Sequence, residues 1–109
     1  MSTRLAVLDA ELLRLAEEWR ANREEHEQLA WQADGAEGNP ADEARLLLAL
    51  ERNAIASYAL DARIAALPAR TLAGLRAKAT IADRNGLGAA GALEQSLLDD
   101  IARLAGAAA

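Results

Sequence analysis

Apolar residues open this chain at steps of three and four: Leu5, Leu8, Leu12, Leu15, Trp19, then Asn22, His26, Leu29 and Ala33. Such spacing puts all nine on one stripe of an α-helix seated against other helices. The stripe is apolar at both ends and polar at Asn22 and His26. A polar layer inside a seam fixes register or partner at some cost in stability. This helix is expected to start at Ser2 or Thr3, either of which can cap it, and to run to about Asp34. Gly35 and Gly38 then break it.

A second start signal follows at Asn39-Pro40-Ala41-Asp42-Glu43, where a capping Asn precedes Pro and acids fill the first turn. The helix it opens should reach Leu67 and stop at Pro68. Its main stripe reads Leu46, Leu50, Asn53, Ser57, Leu60, Ile64, Leu67. A second stripe holds Leu47, Ala54, Ile55, Tyr58, Ala62 and Ala65. Apolar on two sides, this helix is expected to be central and to touch more than one neighbour. The short connection implies an antiparallel hairpin. Folding it back sets position 22 against 51 and position 26 against 47, so Asn22, His26, Glu51 and Asn53 should form one polar layer.

Thr71 can cap a third helix, Leu72 to about Arg84, with Leu72, Leu75, Ala79 and Ala82 inward and Asn85-Gly86 closing it in the left-handed fashion. A fourth should cover Ala90 to Ala105 with Leu93, Leu97, Leu98, Ile101 and Leu104 on one face, fraying at Gly106. The expected fold is all-α: one domain over residues 1–109, a long antiparallel helical hairpin packed by two shorter helices. It is four-helix-bundle-like and completed by dimerisation. The short helices cannot cover the whole hairpin. Its distal tip, residues 20–55, should therefore keep Leu29, Trp31, Leu46, Leu47, Leu48 and Leu50 only partly covered, which marks an interface.

Composition sharpens this picture. The chain holds 29 Ala and 19 Leu but no Phe and no Cys. Helix propensity is high throughout, the large-residue core is thin, and disulfides and thiolate metal sites are excluded. No run of about 18 apolar residues and no signal-peptide core occurs, so a cytoplasmic protein without membrane contact is expected. Eleven Arg against one Lys suggests a GC-rich bacterial genome. Net charge is −5, yet residues 68–88 carry four bases and one acid. That basic stretch could cover the acidic first helix or accept a partner's carboxylates.

Candidate chemistry is sparse. His26 is the sole histidine. It has no second His or Glu-x-x-His spacing to build a metal site, so it reads first as a polar-layer or interface residue. Glu11, Glu18 and Glu25 recur at sevens as an acidic ridge, either a solvated edge paired with neighbouring Arg or a surface for a basic partner. Trp31 lies off the seam near the tip, where it could anchor a partner or cover the loop. Trp19 belongs to the core. Arg70, Arg76, Lys78 and Arg84 before a Gly-containing turn invite a helix-turn-helix reading. The following helix carries Glu94, Asp99 and Asp100 with only Arg103, so direct nucleic-acid binding is not expected. Asp99 and Asp100 point apart in mid-helix, and no nucleophile elbow or phosphate loop occurs. No cofactor, metal or catalytic residue is expected.

The segments Pro68-Ala69-Arg70-Thr71-Leu72-Ala73-Gly74-Leu75-Arg76-Ala77-Lys78-Ala79 and Ser96-Leu97-Leu98-Asp99-Asp100-Ile101-Ala102-Arg103-Leu104-Ala105-Gly106 resemble small uncharacterised helical proteins of GC-rich proteobacteria, some prophage-encoded. The resemblance implies a small accessory protein and transfers no catalytic residue. The expected function is a non-catalytic protein–protein interaction module, a homodimer joined through Asn22, His26, Leu29, Trp31, Leu47 and Leu48. Two alternatives stand beside it. One is an acidic inhibitor or nucleic-acid mimic of mobile-element origin, acting through Glu11, Glu18 and Glu25. The other is a helical-bundle enzyme or ligand-binding protein using His26 and Tyr58.

Overall fold

The computed structural model describes residues 9–85 and 91–108. Four helices and no strand are found among them: α1 Ala10–Gly35, α2 Pro40–Ala66, α3 Leu72–Asn85 and α4 Gly91–Ala108. The fold is all-α. The expected caps Ser2 and Thr3, the seam residues Leu5 and Leu8, and the turn from Gly86 to Ala90 lie outside the described residues.

The hairpin forms as its pattern dictates. Asn39 caps α2 by accepting from the Asp42 amide at 3.3 Å, and Pro40 occupies the first helical position. Gly38 takes φ +91°, a left-handed turn that a Cβ would strain, and its amide donates to Glu43 at 2.8 Å. All seven residues of the main α2 stripe are buried or half-buried. Along α1, Leu12, Leu15 and Trp19 are buried, and Asn22, Leu29 and Ala33 are half-buried. His26 is the exception and faces solvent.

At the end remote from the tip, α3 packs on α1, and α4 packs on α2 and α3. The core there gathers Leu12, Leu15 and Trp19 with Leu60 and Ile64, closed by Ala69, Ile81, Ala82 and Leu93. Both short helices turn only part of the expected face inward: Leu75 and Ala82 on α3, and Leu93, Leu97 and Leu104 on α4, are buried or half-buried. On α3 the buried row is Gly74, Lys78, Ile81 and Ala82, while Leu72 and Ala79 are exposed. On α4, Leu93 and Asp100 are buried, Leu98 and Ile101 are exposed, and the helix continues through Gly106. In both cases hydrogen-bonded polar groups occupy the inner row, and apolar count alone misjudges the face. Gly74 permits the close approach of α3 to α1, because a Cβ there would collide with the Asp9 carboxylate and lie 3.1 Å from Leu12 Cδ2.

The molecule measures 61 × 30 × 16 Å. Helices α1 and α2, at about 1.5 Å per residue, are each about 40 Å long. Thus α3 and α4 overlap only part of the hairpin. Leu46, expected to be half-covered, is fully buried inside the tip, whereas Trp31, Leu47 and Leu48 remain exposed. The second α2 stripe stays largely uncovered: Leu47, Ala54, Ile55, Tyr58 and Ala62 all face solvent. In the single chain α2 is therefore central on one side only.

Candidate functional site

The polar layer of the hairpin centres on two asparagines. Asn53 Nδ2 donates to the Asn22 carbonyl at 2.9 Å and to Asn22 Oδ1 at 3.1 Å. In return Asn22 Nδ2 donates to the Asn53 carbonyl at 3.2 Å. Asn53 is 3% exposed, so this reciprocal pair satisfies amides that would otherwise be buried without partners. Asn22 thus meets position 53, two residues from the expected 51. Glu25, reached by Asn53 at 3.4 Å, joins the layer in place of Glu51, which is exposed. His26 contributes no hydrogen bond to it.

His26 instead lines a cleft of about 210 Å³ on one flank of the hairpin, with Arg23 and Arg84 on its walls. Trp19, Ala54 and Tyr58 supply its apolar surface, and Ser57 and Asp61 complete the α2 side. Arg84 comes from the end of α3, so the cleft forms where α3 stops alongside the hairpin. The α1 members Trp19, Arg23 and His26 and the α2 members Ala54, Tyr58 and Asp61 each follow helical spacing, but no sequence pattern brings Arg84 to them.

The expected interface residues do not form one patch. Trp31 lines a separate groove with Gln32, Asp42, Arg45 and Leu46. Arg45 and Leu47 are two residues apart and so point about 200° apart around α2. Trp31 and Leu47 therefore occupy opposite flanks of the hairpin. Leu29 is half-buried within it, and Asn22 is engaged by Asn53.

A continuous row does appear on the outer face of α2. Leu48 and Ile55 are 48% and 63% exposed, flanked by Leu47 at 65% and Tyr58 at 74%. Ala41, Ala44, Glu51, Arg52, Ala59 and Ala62 complete the row, and all of them are exposed. Steps of three and four connect them, the spacing of a helix seam.

The acidic ridge is largely paired within α1. Arg14 reaches Glu18 at 2.6 Å and Glu11 at 3.9 Å, and Arg20 reaches Glu17 at 3.4 Å. These are exposed i,i+3 and i,i+4 pairs, each worth only a few tenths of a kcal/mol.

A second polar cluster pins the corner between α2 and α3. Lys78, with no solvent exposure, donates to Asp100 Oδ2 at 2.6 Å and to Ser96 Oγ at 2.8 Å. Asp100 also accepts from the Ala69 amide at 3.1 Å and from Arg103 at 2.5 Å. Ser96 donates to the Ala65 carbonyl at 2.7 Å, and Arg103 to the Ala69 carbonyl at 3.0 Å. From the other side Asp9 accepts from the Arg70 amide at 3.0 Å and from the Thr71 amide at 2.9 Å, and it also binds the Thr71 hydroxyl. Thr71 in turn caps α3 by accepting from the Gly74 amide at 3.1 Å. The Asp99–Asp100 pair thus divides its labour: Asp99 is exposed and accepts from Gln95, while Asp100 is a buried hub. Arg103, the one base available to a DNA-reading α4, is committed to this cluster. With Lys78 sealed from solvent, the cluster holds architecture and offers no surface for a reactant.

Among the described residues no three His, Cys, Asp or Glu side chains converge to hold a metal ion. No described helix is long and apolar enough to cross a membrane. Comparison of the chain with protein-family models, curated proteins and solved structures finds no match.

Proposed function

We propose that this chain is a non-catalytic protein–protein interaction module of the cytoplasm that works as a homodimer, two copies pairing through the outer row of α2. The carrying observation is the uncovered row itself, with Leu48 and Ile55 at its centre and Leu47 and Tyr58 beside them. These four side chains offer on the order of 500 Å² per copy, so two copies bury roughly 1,000 Å², the lower bound of a specific interface.

The row is self-complementary when two copies run antiparallel about an axis between positions 51 and 52. Leu48 then meets Ile55, and Glu51 meets Arg52. Ala44 falls against Ala59 and Ala41 against Ala62, small residues that let the helices approach. Glu51 and Arg52 form no ion pair within the chain among the described residues, which leaves both charges open to a second copy.

Light scattering after size-exclusion chromatography tests this reading. The native chain should have the mass of a dimer at micromolar concentration, and Ile55→Glu should have that of a monomer with unchanged helicity. Glu51→Arg should weaken association, and the double change Glu51→Arg with Arg52→Glu should restore it. A native monomer, or a dimer indifferent to all these changes, refutes the proposal.

A further inference from the structure

We propose that the cleft between the hairpin and the end of α3 binds a small organic anion built on a single aromatic ring, of the benzoate class. The first support is local charge. The protein carries net −5, yet this cleft sets two guanidinium groups, Arg23 and Arg84, against one carboxylate, Asp61, with the His26 imidazole beside them. Arg84 forms no ion pair among the described residues. Arg23 meets Glu27 at 3.8 Å, a long exposed pair that leaves the guanidinium available to a ligand. A guanidinium presents parallel N–H donors that match the two oxygens of a carboxylate.

Apolar surface is the second support. Tyr58 holds its ring 74% exposed at the rim, while Trp19, only 7% exposed, lies beneath with Ala54 alongside. An aromatic ligand between them covers the tyrosine face and can stack against a guanidinium plane.

Size selects within that class. At about 210 Å³ the cleft exceeds the cavity of about 150 Å³ that accommodates benzene and falls below the roughly 300 Å³ at which drug-sized sites begin. One ring with one carboxylate fits; a nucleotide does not. The cleft is also preformed, because the Asn22–Asn53 exchange fixes the two helices that make its walls. Its lining residues all belong to one chain, and Tyr58 among them also borders the outer row of α2.

Trp31→Phe leaves Trp19 as the sole indole and so makes its fluorescence a reporter of the cleft. Titration of that variant with benzoate should change Trp19 emission saturably, with a dissociation constant of about 1 mM or below. Benzamide, the neutral isostere, should bind at least about tenfold more weakly. Arg23→Gln and Arg84→Gln, each added to that background, should each weaken benzoate about tenfold while circular dichroism stays unchanged. The proposal falls if benzoate gives no saturable change or if benzamide equals benzoate, which would mark a bare apolar slot. It falls equally if inorganic phosphate binds as well as benzoate, which would mark a general anion site with no use for the ring.

Discussion

Lys78 and Asp100 stand 22 positions apart in sequence and 2.6 Å apart in space, with side chains 0% and 3% exposed. They join α3 to α4, and Asp100 extends the link to the Ala69 amide at the start of the α2–α3 corner. Breaking such a pair leaves a charge buried with fewer partners. Lys78→Met should therefore lower unfolding free energy by about 3–5 kcal/mol in urea titrations. Asp100→Leu should cost at least as much, because it also releases Ala69 and Arg103. The double change should cost less than the sum of the two, since it removes the stranded charge along with its partner.

The Asn22–Asn53 pair makes a different demand. Asn53→Ala should destabilise the chain by about 1–3 kcal/mol, because the Asn22 side chain and carbonyl lose their partner inside the hairpin. Replacing both residues by Leu should raise the melting temperature, as apolar groups fill the seam without desolvation cost. The double variant should also lose uniqueness of register, read as broadened amide resonances or mixed oligomers. Sharp spectra from a stabilised double variant would show that the pair does not specify register.

Gly74→Ala tests the α1–α3 contact. The added Cβ would strike the Asp9 carboxylate that holds the Arg70 and Thr71 amides. A loss of about 1–3 kcal/mol is expected on thermal unfolding, against the gain of up to 1 kcal/mol that Gly→Ala gives in an unobstructed helix interior.

The long helices were legible in the sequence because burial there follows apolar spacing. Leu46, Leu50, Leu60 and Ile64 mark one side of α2 without ambiguity, and Asn53 stands among them as the expected polar layer. Misreadings arose where polar side chains are the buried ones. Lys78 and Asp100 look like surface residues by type, and the leucines beside Asp100 pointed the α4 face toward Leu98 and Ile101. Gly74, Lys78 and Ile81 do share helical spacing, and that row was the signal available. Spacing alone puts His26 in the layer, yet it lines the cleft while the two asparagines satisfy one another. The cleft is legible only in part: the sequence pairs His26 with Tyr58 as candidate ligand-binding residues, but Arg23 and Arg84 join them only through tertiary packing.

Ile55 and Leu60 offer a contrast that separates the interface from the core. Both lie on α2, but Ile55 is 63% exposed in the single chain and Leu60 is 8% exposed. Leu60→Ala removes methyl groups from the closed core and should cost about 2–5 kcal/mol at any protein concentration. Ile55→Ala removes contacts that, in the proposed dimer, exist only between copies. Its effect should vanish in dilute solution and grow as concentration rises, because association stabilises the folded state by mass action. Thermal unfolding over a hundredfold concentration range therefore distinguishes the two positions. The native melting temperature should climb with concentration, that of Ile55→Ala should stay flat, and that of Leu60→Ala should run parallel to the native curve at a lower level. A native melting temperature independent of concentration would leave Ile55 without a partner and remove the basis for self-association through α2.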